Sequence, residues 1–239
     1  TSQGINAVIF SLIAFDTTDY SAKTHDELIA YIVDNMTGKG WALAGDTADV
    51  DITAMAIQAL APYAADEKVN AAIDSGLEFL AESLDENARY ANGSESTSQV
   101  IIALAALGID PLKDSRFIVD GITLIDALES YATENGYSHT LGGEENYMAT
   151  EQAALALTAY ELSKDGTSLY EMSAKAEPTE PENPDTPAQP GDSVKPGECS
   201  GKPDDKNDPI NPGTGVLVTG GMAVLISGAV MLISKKKRK

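Results

Sequence analysis

The sequence predicts an all-α body built from helix-pair repeats, and three observations carry that prediction. Ala-rich apolar runs of about a dozen residues recur along residues 1–172. Segments with one apolar and one polar face at helical spacing alternate with those runs. Short glycine-containing loops, each with a single aromatic, precede the next run.

The apolar runs align on a polar start. "DITAMAIQALA" (51–61), "ESTSQVIIALA" (95–105) and "MATEQAALALT" (148–158) place threonines at Thr53, Thr97 and Thr150, 44 and 53 residues apart. "GINAVIFSLIA" (4–14) fits as an earlier copy, with Asn6 lying 47 residues before Thr53. Runs apolar on all sides predict helices buried on more than one face. The half-exposed partners are "THDELIAYIVDNM" (24–36), "NAAIDSGLEFLAESL" (70–84) and "RFIVDGITLIDALESYA" (116–132). Thr24 with Glu27 and Ser96 with Gln99 read as capping boxes. The loops "GKGWALAG" (38–45), "ARYANGS" (88–94) and "ENGYSHTLGG" (134–143) carry Trp41, Tyr90 and Tyr137. Each aromatic is expected either to plug the space between repeats or to line a ligand cavity.

The C-terminal part is different. Residues 173–210 hold most of the chain's 11 prolines with few large apolar residues, which predicts a disordered, extended linker. Val216 to Ser234 carries no charged residue, and its nineteen positions at 1.5 Å rise span about one hydrocarbon core. "KKKRK" (235–239) follows, so the positive-inside rule predicts one transmembrane helix with the body facing outward.

Charge narrows the function. Residues 1–172 hold 28 acids and seven bases, so binding to a phosphate backbone is not expected. The single cysteine, Cys199, lies in the linker, which excludes an internal disulfide and a cysteine-built metal site. The opening "TSQGINAVIFSLIAF" has no basic n-region, and the chain is expected to begin inside a larger domain.

Two resemblances add to this reading. "NPGTG" (Asn211, Pro212, Gly213, Thr214, Gly215), then the apolar span, then the basic tail, resembles a Gram-positive cell-wall sorting signal. It implies a sortase partner, cleavage between Thr214 and Gly215, transfer to peptidoglycan, and display on the cell wall of a Gram-positive bacterium. Asn211 stands where the commonest pattern has Leu.

The helix-pair repeat, the glycine–aromatic loops and "DVDITAMAIQAL" resemble the α/α toroid shared by terpene cyclases, protein prenyltransferases and cobalamin carriers. Residues 1–172 would then be the C-terminal part of a larger ring, a partial α/α toroid. In such toroids the inner helices put their N-termini around a central cavity. The implied lining is Asp49, Asp51, Thr53, Thr97, Gln99, Tyr147, Thr150 and Gln152.

Set against the enzymes of that superfamily, the chain falls short of each motif. Asp49, Asp51 and Thr53 fall on the Asp-x-Asp-Asp-Thr of class II cyclases, but Ile52 occupies the fourth position. One Trp and four Phe supply few faces to shelter a carbocation. Prenyltransferases hold zinc through Asp, Cys and His, whereas here Cys199 is in the linker and His25 and His139 are far apart and read as solvated. Glu151-Gln152 lacks the neighbouring Cys of a thioester. The expectation is a displayed module that binds a ligand, glycan or protein outside the cell. It needs no cofactor; the alternatives are a carrier of a cobalamin-like cargo, with no β-domain lid following the toroid at this end, and a glycan-active or degenerate cyclase-like enzyme on the same fold. An adhesive module with a filled cavity is the third class.

Overall fold

The computed structural model describes residues 4–17 and 22–170. The linker at 173–210, Cys199, Asn211–Gly215, the apolar span 216–234 and the basic tail 235–239 lie outside the described residues. Among the described residues no helix is long and apolar enough to cross a membrane.

The described chain is all-α: α1 (Gly4–Asp16), α2 (Ala22–Asp34), α3 (Val50–Leu60), α4 (Glu67–Glu82), α5 (Ser94–Ala106), α6 (Leu124–Glu129) and α7 (Tyr147–Ser163). Single 3₁₀ turns follow α3 (Ala61–Tyr63) and precede α6 (Ser115–Phe117). Odd-numbered helices form an inner row in which α1 packs on α3, α3 on α5, and α5 most extensively on α7. The other layer is contributed by α2 against α1, α4 against α3 and α2, and α6 against α5. The apolar runs are therefore the inner helices, covered on several sides, as their composition dictates. Their side chains form the core with those of the second layer, among them Ile9, Leu12, Ile57, Ile101, Leu80 and Leu128.

Local chemistry sets the helix starts. Asp49, with extended backbone (φ −118°, ψ 140°), accepts from the amides of Asp51 and Ile52 through Oδ1 and opens α3. Asp66 does the same for α4, Thr123 and Asp126 form a reciprocal capping box on α6, and Asn146 Oδ1 accepts from Ala149 N at 3.0 Å on α7. Each such cap contributes about 1 kcal/mol.

Three expectations are corrected. The segment 116–132 is not one helix: Asp120 (φ 51°) and Gly121 (φ 84°) make a tight left-handed turn, bridged by Val119 and Ile122, and only Leu124–Glu129 is α-helical. Helix α2 starts at Ala22, which puts Thr24 inside its first turn and not at its cap. Helix α5 is entered through Gly93, so Ser96 lies within the helix and does not cap it.

Candidate functional site

The repeat has a specific construction that seats its aromatic. Trp41 N donates to Thr53 Oγ1 at 3.0 Å, and the Trp41 carbonyl accepts from Asp49 N at 2.8 Å. The last repeat repeats this bond for bond: Tyr137 N donates to Thr150 Oγ1 at 2.9 Å, and the Tyr137 carbonyl accepts from Asn146 N at 2.9 Å. The backbone approach requires glycine before the aromatic. A Cβ on Gly40 would stand 2.5 Å from Thr53 Oγ1, and one on Gly136 would collide with Thr150 Oγ1 in the same way. In the middle repeat Arg89 occupies that position, and the corresponding hydroxyl, Thr97 Oγ1, is buried with no hydrogen-bond partner.

These clamps place several of the expected lining residues. Thr53 and Thr150 serve the loops, and Thr97 is 0 % exposed in the core. Trp41, Tyr90 and Tyr137 are buried plugs in the core; Trp41 Nε1 donates to the Ile32 carbonyl at 2.6 Å, and Tyr137 Oη donates to Glu129 Oε1 at 3.1 Å. Burial holds the Tyr90 and Tyr137 phenols above their ordinary range, with the Glu129 carboxylate adding to the effect on Tyr137. Tyr147 lies 85 % exposed at the start of α7, apart from the buried set.

Asp49 and Asp51 have distinct roles. Asp49 is the helix cap. Asp51 has a buried Oδ1 with no bonded partner, and its carboxyl is held above the usual carboxylate range. Burial is the largest cause; the Ser96 hydroxyl favours the charged form, and the carboxylates of Asp49 and Glu95 oppose it. No hydrogen bond of ordinary geometry closes from the fully buried Ser96 Oγ. Glu95 turns instead to His139 Nδ1, 2.8 Å away; His139 is exposed in its loop, as expected, and carries this ion-pair contact as well. Among the described residues no group of three or more His, Cys, Asp or Glu side chains is disposed to hold a metal ion.

Gln99 and Gln152 belong to a line of amides across the inner row. Tyr170 Oη donates to Gln58 Oε1 at 3.0 Å, Gln58 Nε2 donates to Gln99 Oε1 at 2.8 Å, and Gln99 Nε2 donates to Gln152 Oε1. One glutamine comes from each of α3, α5 and α7. Gln58 is only 4 % exposed, so these bonds satisfy amides that would otherwise be costly to bury.

At the Gln58 end the line meets a cleft of about 390 Å³. The C-terminal ends of α1, α3 and α5 border it together, so these inner helices run parallel. Ile13, Ala61, Pro62 and Ala106 give it apolar wall; Asp16, Thr17, Gln58 and Ser168 give polar groups, and Tyr63 and Tyr170 complete it. Among the described residues Asp16 is the one charged group of the lining, with its side chain 22 % exposed. Its Oδ1 accepts from Tyr63 Oη and lies 3.2 Å from His25 Nε2. His25 is therefore not solvated: it packs edge-on to Phe15 and against Tyr63. Burial, then the Asp16 carboxylate, raises the Tyr63 phenol well above its ordinary range, so it stays a neutral donor. Sequence reading missed this cleft because residues 13–17, 58–63, 106 and 168–170 share no motif. Its one sequence signal is Gln58, a lone amide inside an apolar run.

Comparison with known protein families, with curated proteins and with solved structures returns no match for this chain.

Proposed function

We propose that this chain is a surface-displayed, wall-anchored binding module. Its body is a partial α/α toroid, and the cleft at the C-terminal ends of α1, α3 and α5 holds a small ligand from outside the cell. The toroid reading is supported by the alternation of inner and second-layer helices and by the glycine–aromatic clamp shared by Gly40-Trp41 and Gly136-Tyr137. The binding reading rests on one observation: an apolar-walled cleft of about 390 Å³ with a few convergent polar groups, the ordinary build of a small-molecule site. That volume favours a ligand of sugar size or smaller over a corrinoid, whose macrocycle needs a broader cavity.

Anchoring rests on the sequence order of "NPGTG", apolar span and "KKKRK". Sortase would cut after Thr214 and join its carbonyl to a peptidoglycan amine, releasing the apolar span. Pro212 bends the peptide and Gly215 leaves its amide sterically open for that exchange. Mass spectrometry of cell-wall digests checks this: the expected product is a peptide ending at Thr214 joined to a wall fragment. A mature protein that still carries Lys235–Lys239 refutes the anchoring.

A further inference from the structure

We infer that the cleft selects a small organic cation, an alkylammonium group; this rests on the reading of the cleft as a ligand site. The electrostatic frame comes first. Three helices present their C-terminal ends to one space: α1 through Asp16, α3 through its 3₁₀ extension Ala61–Tyr63, and α5 through Ala106. Each end carries the negative pole of its helix and carbonyls without intrahelical partners. Asp16 adds a carboxylate, with Nε2 of His25, itself outside the lining, 3.2 Å from its Oδ1, and among the described residues no Lys, Arg or His lines the cleft.

Donors are the second argument. An anionic ligand needs N–H or O–H groups, and those of the Gln58, Tyr63, Tyr170 and Thr17 side chains are already committed. Both hydrogens of Gln58 Nε2 point to Gln99, one to its carbonyl at 3.2 Å and one to its Oε1 at 2.8 Å. Tyr170 Oη donates to Gln58 Oε1, Tyr63 Oη donates to Asp16, and Thr17 Oγ1 donates to the Ala14 carbonyl at 2.7 Å. A carboxylate or phosphate would meet a carboxylate and three helix C-termini with none of these hydrogens free. A cation meets the carboxylate and the three negative helix ends.

The apolar wall then distinguishes among cations. Ile13, Pro62 and Ala106 cannot replace the water shell of an alkali ion, but they do cover methyl groups. Tyr63 and Tyr170 bring aromatic rings to the same space, the partners that an alkylated ammonium uses best. The acidic body, 28 acids to seven bases over residues 1–172, raises the local concentration of such ligands at the mouth.

The test uses the full chain in non-ionic detergent micelles and three probes of one shape: choline, its uncharged isostere 3,3-dimethyl-1-butanol, and the anion 3,3-dimethylbutyrate. Affinities are read by calorimetric titration and saturation-transfer NMR. Choline is expected to bind roughly ten-fold or more tightly than the alcohol, with the anion weakest, and the preference should shrink with salt. Asp16→Asn keeps an acceptor for Tyr63 and should bring choline close to the alcohol. Tyr170→Phe should leave choline binding intact, and Tyr170→Leu should weaken it. If the alcohol binds as well as choline in the wild type, the cation inference fails while the cleft stands as a ligand site. If choline binds but neither Asp16→Asn nor Tyr170→Leu changes it, the ligand sits elsewhere and the inference is overturned. If no probe binds, the inference fails, and a ligand found by wider screening whose affinity Tyr170→Leu lowers leaves the binding reading intact.

Discussion

Gly40→Ala isolates the contact on which the repeat clamp depends. The new Cβ would sit 2.5 Å from Thr53 Oγ1 and 3.2 Å from both Thr53 Cγ2 and Phe79 Cδ1. Thr53 is fully buried in α3, so relief requires its side chain to rotate or the loop to withdraw. Either movement breaks the 3.0 Å bond from Trp41 N and leaves a buried amide without its acceptor. Overpacking of this kind costs about 1–3 kcal/mol, and an orphaned buried donor about 1–3 kcal/mol more. The expected loss is thus roughly 2–5 kcal/mol, a large share of the ~5–15 kcal/mol that holds a domain together. For a body of this size that is a fall in Tm of about 5–15 °C. Urea and thermal unfolding, followed by far-ultraviolet circular dichroism and by the fluorescence of the single tryptophan, Trp41, measure it directly. Thr53→Ala removes two of the three obstructing atoms, the acceptor Oγ1 among them, so the two changes cannot be independent. The double variant should cost about 1–3 kcal/mol less than the sum of the singles. Strict additivity, or a Gly40→Ala protein as stable as wild type, refutes the steric account.

Two further substitutions test the other inner helices. Thr97→Val replaces a buried hydroxyl that has no partner, so it should be neutral or stabilising by up to about 1–2 kcal/mol, whereas Thr53→Val should destabilise by about 1–3 kcal/mol, both read from urea midpoints. Asp51→Asn tests the raised carboxyl through the pH dependence of stability. A folded-state pKa above the unfolded value gives stability that is full below the ordinary carboxylate range, near pH 4, and is lost as pH rises through the raised value. The variant cannot ionise, so it should match wild type in acid and exceed it at neutral pH; a wild type that gains on Asp51→Asn as pH rises contradicts the burial argument.

The inner helices were legible because a residue that must be covered on several sides leaves a run with no polar face, as in Val100–Ala106. The polar residues that open each run mark the helix starts to within a few residues, but the caps themselves, Asp49 on α3 and Gly93 on α5, stand ahead of the aligned runs and were not legible. The segment before α7 misled because its apolar spacing continues across Asp120-Gly121, and a left-handed turn there interrupts the backbone without interrupting the pattern. His25 looked solvated because its polar partner Asp16 belongs to the preceding helix and its ring neighbour Tyr63 to the turn after α3. The cleft was not legible: helix ends from three repeats and Tyr170 meet there, and only packing brings them together. Spacing reports what one helix does with its own faces, and the line from Gln58 through Gln99 to Gln152 is a property of three helices at once.

The paired clamps have a consequence for what this body can carry. Each long loop is tied off at its base, Trp41 to Asp49 at 2.8 Å and Tyr137 to Asn146 at 2.9 Å, before the next inner helix begins. Within the second of these loops Ser138 and His139 still bear on the start of α5, their carbonyls accepting from Ser94 and the His139 ring meeting Glu95, so only the loop tips are out of the path by which one helix positions the next. The middle repeat runs from Tyr90 to Gly93 with two residues between, and the outer two span seven and eight, yet all three feed an inner helix of the same row. Loop closure grows only logarithmically with length, about 0.6 kcal/mol per doubling. The exposed tips at Ala44 and Gly142 are therefore ports: a foreign peptide spliced there would be held out on a rigid stem, and the helices beneath would fold as if it were absent.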